Sequence, residues 1–579
     1  MIPMPHPRLV SRARGWAVQL ALVAAVTTLV CSQSWFYADD WVMASLLPRL
    51  ETRELLLRSY FGHLMPGFAV AQRAFWTTAG SSWATATLIT VLILVAASVA
   101  SRRLVEATVD RAGPWGFVAG LTVPLSLSFL LCAPWWSATM QPLVPAVAGI
   151  AVVGACTRYY RTGRRRHLVA LALVDALAMS FFEKSAIYSA FAGLWCVLVV
   201  RSGGPRAVLT QVLRRWPAWL VLAAVDLPFL LVYLAGDYGD GFLPTTPGLT
   251  SRFVARSIGL GVVPAVFGID LLRVPGPVVV PLAVLAAALL LGIWVVLIRR
   301  HRGNLAVLVF WLLCLVIAEL PLAIGRSGLS GPDAGRLLRY QLDAGALALL
   351  TLTVAAARAR VEETRHRAGR AALAGVIGLL VCATSVSAWA TIGDYPAGEA
   401  RAWHDAFVST WPRDGQVRVV DGPLNAPLAP SWMFPFSSRR TVLDQVVTNV
   451  EWVDTLEGSL AIGDDGRVGP AVFTTSASFG RGSCVPTRSG DTVPVTSVPP
   501  GDYDIRVTFV TTAPTQVRLL VGDPELQPST RPYVRTVGAG RAIELTWWST
   551  QVPFSVVGVD VASGSVCLEK VELGRIEPR

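Results

Sequence analysis

A helical membrane bundle of about eleven spans followed by a β-rich domain is the fold class this sequence predicts, on three observations. Apolar residues make up 53% of the chain and charged residues only 15%, against about 25% charged in soluble domains. The apolar residues gather into runs of spanning length, where a transmembrane helix needs about 20 of them. Beyond residue 392 the pattern changes to period two, punctuated at short intervals by Gly, Pro, Asp and Ser, which is the signature of strands. The expected domains are 1–391, a membrane domain, and 392–579, a β-rich domain.

The apolar runs place spans near 15–35, 82–101, 114–132, 142–157, 168–182, 186–200, 217–235, 276–298, 305–323, 341–357 and 372–391. The first is preceded by Arg8, Arg12 and Arg14, as a signal peptide would be. No small-residue cleavage site follows, so a retained helix is expected. The first long loop, 36–81, carries Leu46, Leu47, Leu50, Leu55 and Leu57 among charges, a helical pattern expected to lie along the membrane interface.

Charge settles orientation. The net charge of +12 divides into 34 Lys+Arg against 17 Asp+Glu in residues 1–391, and 16 against 21 in residues 392–579. A basic chain raises the question of nucleic acid. Here the arginines sit in short alternate connections, at Arg102, Arg103 and Arg111, in RYYRTGRRRH at 158–167, at Arg201, Arg206, Arg214 and Arg215, in RRHR at 299–302 and in RARVEETRHRAGR at 358–370. That is the positive-inside pattern of a multi-pass cell-membrane protein, and nucleic-acid binding is rejected. The N-terminus is expected in the cytoplasm and the C-terminal domain outside it. The two lysines, Lys184 and Lys570, each follow a glutamate, so no Gly-Lys-Ser/Thr phosphate loop exists.

In the C-terminal domain VRVVD at 417–421, YDIRVTFV at 503–510, QVRLLVG at 516–522, AIELTWW at 542–548 and FSVVGVDV at 554–561 read as strands of an all-β, antiparallel sandwich. Its two cysteines, Cys484 and Cys567, are a natural disulfide pair in an exported domain. The other six read as small core hydrophobes.

Four groups of residues could carry chemistry. Asp39 and Asp40 follow the first span; adjacent carboxylates raise each other's pKa, an arrangement that suits one as general base and the other as orienter of a substrate or ligand of a divalent cation. The plainer reading makes Asp39 the cap of the following helix and Asp40 a favourable charge in its first turn. His63 could bind a sugar hydroxyl, a phosphate or a metal, or serve only as an interfacial polar residue. Glu183 and Lys184 at the end of the fifth span form a structural ion pair, or offer Lys184 to a phosphate. Arg326, Arg336, Arg339 and Tyr340 stand on the outer side, against the charge bias, where arginine suits a lipid-linked phosphate. Anchoring the loop to Asp333 or Asp343 is the alternative. Arg252 and Arg256 are weaker members of this set, and Asp175 and Asp226 are intramembrane carboxylates with no partner legible in the sequence.

The topology, the Asp39-Asp40 pair in the first outside loop and the exported β-domain together resemble the GT-C superfamily of integral membrane glycosyltransferases, in particular bacterial cell-wall arabinosyl- and mannosyltransferase-type enzymes. Arg339-Tyr340 is similar to the Arg-Tyr pair of several such families, and Glu183-Lys184 to a Glu/Lys pair after a middle span. The resemblance implies an inverting glycosyltransferase. It would take sugar from a polyprenyl-phosphate donor to a cell-envelope glycan or lipid acceptor, with Asp39 as base, Asp40 its neighbour and a glycan-binding role for the tail. His63, Glu183, Lys184, Arg326, Arg336, Arg339 and Tyr340 would then be the donor or substrate set. A lipid or sugar transporter with an extracytoplasmic binding domain is the main alternative, and a non-catalytic cell-wall sensor a third.

Overall fold

The computed structural model describes residues 7–60, 62–110, 112, 114–200, 205–236, 238, 245–359, 381–391, 396–422, 424, 428, 438–453, 456–480, 491–499, 501–522, 533–537, 539–550, 554–561 and 565–579. The chain divides into two compact units, Met1–Ser34 with Leu50–Tyr395, and Trp35–Arg49 with Pro396–Arg579.

The first unit is helical. Among the described residues eight helices are long and apolar enough to cross a membrane: Arg14–Cys31, Trp83–Thr108, Trp115–Cys132, Trp136–Thr162, Trp216–Ala235, Gly276–Arg300, Asn304–Gly328 and Leu342–Ala359. The expected spans at 168–182 and 186–200 are present as the helix Arg166–Phe181, of 16 residues, and the helix Ile187–Leu194 continued by a π-turn over Trp195–Val199. Both fall short of spanning length by themselves, and residues 372–380 of the last expected span lie outside the described residues, with 381–391 helical.

Local chemistry sets the helix ends. Ser82 accepts a hydrogen bond from the Thr85 N–H at 3.3 Å and starts the helix Trp83–Thr108. Gly163, at φ +69°, closes Val144–Thr162 in the left-handed conformation that glycine reaches without cost. The helices divide by depth. Trp115–Cys132 is 89% buried within the protein, whereas the most apolar stretch of Trp216–Ala235 is only 17% buried, so the former is central and the latter presents leucines to lipid.

The expected interfacial helix is instead broken into Asp39–Leu46, a 3₁₀ turn Leu47–Arg49 and Thr52–Leu57. Leu47, Leu50 and Leu55 are buried in protein, and the break falls at the boundary between the two units. A short antiparallel ladder, β1 (Ser59–Tyr60) on β2 (His63–Leu64), follows in the first unit.

In the second unit the described residues include eleven strands in two sheets. One has the order β10 (Tyr533–Val537), β9 (Thr515–Gly522), β12 (Phe554–Val561), β7 (Asp491–Val498). The other runs β11 (Gly540–Thr550), β8 (Gly501–Thr511), β13 (Val566–Pro578), β6 (Val468–Gly480), β5 (Leu460–Ile462), β3 (Val417–Val420), β4 (Val450–Val453). Val493, Val495 and Val557 of the first sheet and Ile505, Val507, Phe509, Leu568 and Val571 of the second share one buried core, which makes this part a sandwich. It is not all-β. β3 pairs in parallel with β4 and with β5, and a parallel pair needs a crossover; the helix Arg439–Val446 lies in that connection, and Pro396–Thr410 precedes β3.

Candidate active site

In the second unit the acidic pair opens the helix Asp39–Leu46. The turn before it is strained: Ala38 has φ +53°, and among the described residues no other non-glycine residue has a positive φ. Its N–H donates to the Leu428 carbonyl at 2.5 Å. Asp40 is fully buried, and its Oδ2 accepts from the Tyr37 N–H at 3.1 Å. Asp39 is half-buried and is the first residue of that helix, one position after its N-cap Ala38. The two carboxylates therefore differ: Asp40 holds the turn together, and Asp39 stands nearer the surface.

Aromatic packing holds this turn. Trp35 is buried, with its ring 5.1 Å from Trp41 and 4.1 Å from the imidazole of His404. Trp403 stacks on Phe407 at 5.3 Å along the same helix, Pro396–Thr410. Burial pushes the His404 pKa down, and Asp405, 3.3 Å away, opposes that shift.

The first unit gathers the other candidates. His63 is buried on β2, edge-on to Phe182 at 5.0 Å. Its Nδ1 lies 2.5 Å from Glu183 Oε1, and Arg326 Nη2 lies 3.2 Å from its Nε2. A guanidinium has only donors, so Nε2 accepts, and Nδ1 carries the proton and donates to Glu183. Lys184 takes a different partner from its neighbour: Nζ is 2.9 Å from Asp343 Oδ2, and the Tyr188 hydroxyl donates to Asp343 Oδ1. Glu183 and Lys184 thus belong to two separate contacts.

Arg339 lies over the Trp135 ring at 4.7 Å and 5.1 Å from the Tyr340 ring; Arg326 is 5.9 Å from the same tyrosine. Tyr340 is therefore flanked by two guanidiniums, each within cation–π range. Arg336 serves the loop instead, donating to the Leu271 carbonyl at 2.8 Å and standing 3.9 Å from Asp333. Arg256 pairs with Asp333 at 2.5 Å, and Arg252 is exposed.

Sequence reasoning missed Trp135, Tyr188 and Glu319. Glu319 is buried in the helix Asn304–Ser330 and accepts from the Ser257 hydroxyl; a carboxylate inside an apolar run was the available signal. Asp175 and Asp226 are buried on two helices that pack together, Arg166–Phe181 and Trp216–Ala235. Cys567 is buried on β13, and Cys484 lies outside the described residues. Among the described residues no three His, Cys, Asp or Glu side chains are gathered to hold a metal.

No protein-family model and no curated protein matches this sequence. Solved structures do. The oligosaccharyltransferase of Archaeoglobus fulgidus is similar at 13% identity and a TM-score of 0.37, over 69% of this chain and 60% of that one. Arabinosyltransferase EmbB of Mycobacterium smegmatis is similar at 10% identity and a TM-score of 0.37, over 100% and 66%. A mycobacterial arabinofuranosyltransferase, AftD, is similar at 13% identity and a TM-score of 0.37, over 95% and 58%. The chain accounts for less than two thirds of the length of each.

Proposed function

We propose that this chain is a membrane glycosyltransferase. It moves a sugar from a polyprenyl-phosphate donor to a cell-envelope glycan or lipid acceptor at the outer face of the membrane, with inversion. The observation that carries this reading is the cationic group of the first unit, in which Arg326 and Arg339 flank Tyr340 and Lys184 sits close by in sequence to the Glu183 end of the Arg326–His63–Glu183 chain. Such planar cations suit a phosphate that gathers charge as it leaves.

In the proposed reaction Asp39 takes the proton of an acceptor hydroxyl. The hydroxyl oxygen bonds to the sugar's anomeric carbon, the bond from that carbon to the phosphate oxygen breaks, and the lipid phosphate departs with the electron pair. Asp40, bound to the Tyr37 N–H, keeps the turn in place.

The experiment is sugar transfer from a polyprenyl-phosphate sugar by purified full-length variants. Asp39→Asn should lose about 10²–10⁴-fold, the usual contribution of a general base. Arg339→Lys keeps the charge, loses the planar fork, and should weaken donor use more than folding. Near-normal transfer by both Asp39→Asn and Asp40→Asn would remove the base and sink the mechanism.

The orientation has its own test. In a Cys382→Ser background, chosen because Cys382 is exposed, Asp465→Cys should react with an impermeant thiol reagent in intact cells and Thr162→Cys should not; the reverse would invert the topology. A transporter reading draws on the buried Asp175, neither of whose carboxylate oxygens has a hydrogen-bond partner. It predicts that Asp175→Asn abolishes substrate movement, whereas the enzyme reading predicts unchanged transfer.

A further inference from the structure

We infer that Glu183 and His63 do not bind the donor themselves but are positioning residues that aim Arg326 at its phosphate. The inference rests on the glycosyltransferase reading for its ligand and on geometry alone for its core.

Three separated segments build the chain of contacts. His63 sits on a hairpin whose turn needs Gly62 at φ +84°, and a side chain there would come within 3.2 Å of the Tyr238 carbonyl. The Tyr60 hydroxyl ties the same hairpin to the Leu55 carbonyl at 2.8 Å, and the Tyr238 hydroxyl donates to the Leu57 carbonyl at 2.7 Å. Glu183 opens a 3₁₀ turn that Ser185 pins to the Ala178 carbonyl at 2.9 Å. Arg326 comes from the helix Asn304–Ser330. The imidazole is therefore held in place before it meets the guanidinium.

The hydrogen-bond logic allows one arrangement. Arg326 donates to Nε2 at 3.2 Å, so the single imidazole proton is on Nδ1, where Glu183 Oε1 accepts it at 2.5 Å. Glu183 thus selects the tautomer that leaves Nε2 able to receive Arg326. Only one of five guanidinium donors is used by His63, and the plane it defines fixes the direction of the others. A ligand phosphate would meet a fork already oriented, which saves the ordering cost of a long side chain. Replacing Glu183 by leucine removes the acceptor that holds the proton on Nδ1, so the proton is free to move to Nε2 and turn it against the guanidinium.

The test uses purified full-length protein, with undecaprenyl phosphate as probe and ¹⁵N-histidine spectra as the second readout. His63 is assigned by its loss in His63→Gln. The wild type should show a neutral imidazole protonated on Nδ1, and Glu183→Leu should lose that signature. Arg326→Ala should weaken probe binding roughly 10- to 100-fold, as loss of a charge-assisted contact does. Glu183→Leu should weaken it about tenfold, and the double variant no more than Arg326→Ala alone. His63→Gln, which can both accept and donate, should recover most of what His63→Leu loses. A proton on Nε2 in the wild type, or additive losses in the double variant, would overturn the positioning role. If the wild type does not bind the probe, the donor reading falls, and the ¹⁵N spectra by themselves decide whether Glu183 sets the tautomer.

Discussion

The two units handle the same residue types in opposite ways. In the first, leucines stand outward: Leu173, Leu231, Leu234 and Leu291 are each more than 60% exposed within the protein, because the surrounding solvent is lipid and exposure costs them nothing. Three carboxylates inside the bundle find polar partners across it, Asp343 at Lys184 and Tyr188, Glu183 at His63, Glu319 at Ser257, whereas neither oxygen of the buried Asp175 has one. In the second unit the apolar residues of alternate strand positions form the core; two of its buried carboxylates lean on backbone N–H groups, Asp40 on Tyr37 and Asp504 on Ile576, while a third, Glu572, pairs with Arg506 and Lys570 along its own sheet. Side-chain ion pairs specify how helices meet. Backbone donors hold a turn or a strand edge that is already nearby. An exposed leucine therefore carries no information in the first unit, whereas a buried charge carries much.

That contrast can be broken most sharply at Lys184. Lys184→Met should destabilise the detergent-purified protein by about 3–5 kcal/mol, the cost of leaving a buried charge unpaired. Lys184→Met with Asp343→Leu should recover most of the loss. A Tm unchanged in the single variant would mean that the pair contributes nothing to helix packing.

A matched pair of glycine substitutions comes next. At Gly149 a Cβ would lie 2.5 Å from the ring of Tyr188, and at Gly422 it would lie 2.8 Å from Arg439 Nη1 and 3.0 Å from Asp504 Oδ1. The ring has no way to yield without losing Asp343, whereas the guanidinium end can swing. Overpacking usually costs 1–3 kcal/mol, so Gly149→Ala should sit near about 3 and Gly422→Ala near about 1. Melting curves that rank the two the other way would mean that the polar cluster of the second unit is the stiffer one.

The smallest expected effect is a pH slope in the second unit. Burial pushes the Asp504 carboxyl up to about 6 from an ordinary 3.8, against the pull of Arg439. Between those values the folded chain holds a proton that the unfolded chain has released, so stability rises as pH falls from about 6 to about 4. The slope should be roughly 1 kcal/mol per pH unit at most, read as hydrogen-exchange protection of 501–511 in the full-length protein. Asp504→Asn should flatten it; an unchanged slope would assign it to another group.

What the sequence determined by itself was everything written in a short period. Runs of about twenty apolar residues marked eight of the helices, and alternation marked β3, β8, β9, β11 and β12. Four more strands, β6, β7, β10 and β13, are long enough to show a period and were passed over; two further losses follow from locality. The short strand β5 offers three residues, too few to show a period, and the parallel β3–β4 pairing depends on a crossover that no alternation records.

Only the tertiary structure decided the company each polar residue keeps. It grouped the segment carrying Asp39 and Asp40 with the C-terminal residues, and it separated Glu183 from Lys184 although they are neighbours in the chain. The contacts of His63 reach across 120 residues to Glu183 and 263 to Arg326. The physical reason lies in the helices themselves: a helix apolar on every side carries no moment to say which face turns inward. Its orientation is settled by which polar groups find one another once the helices pack.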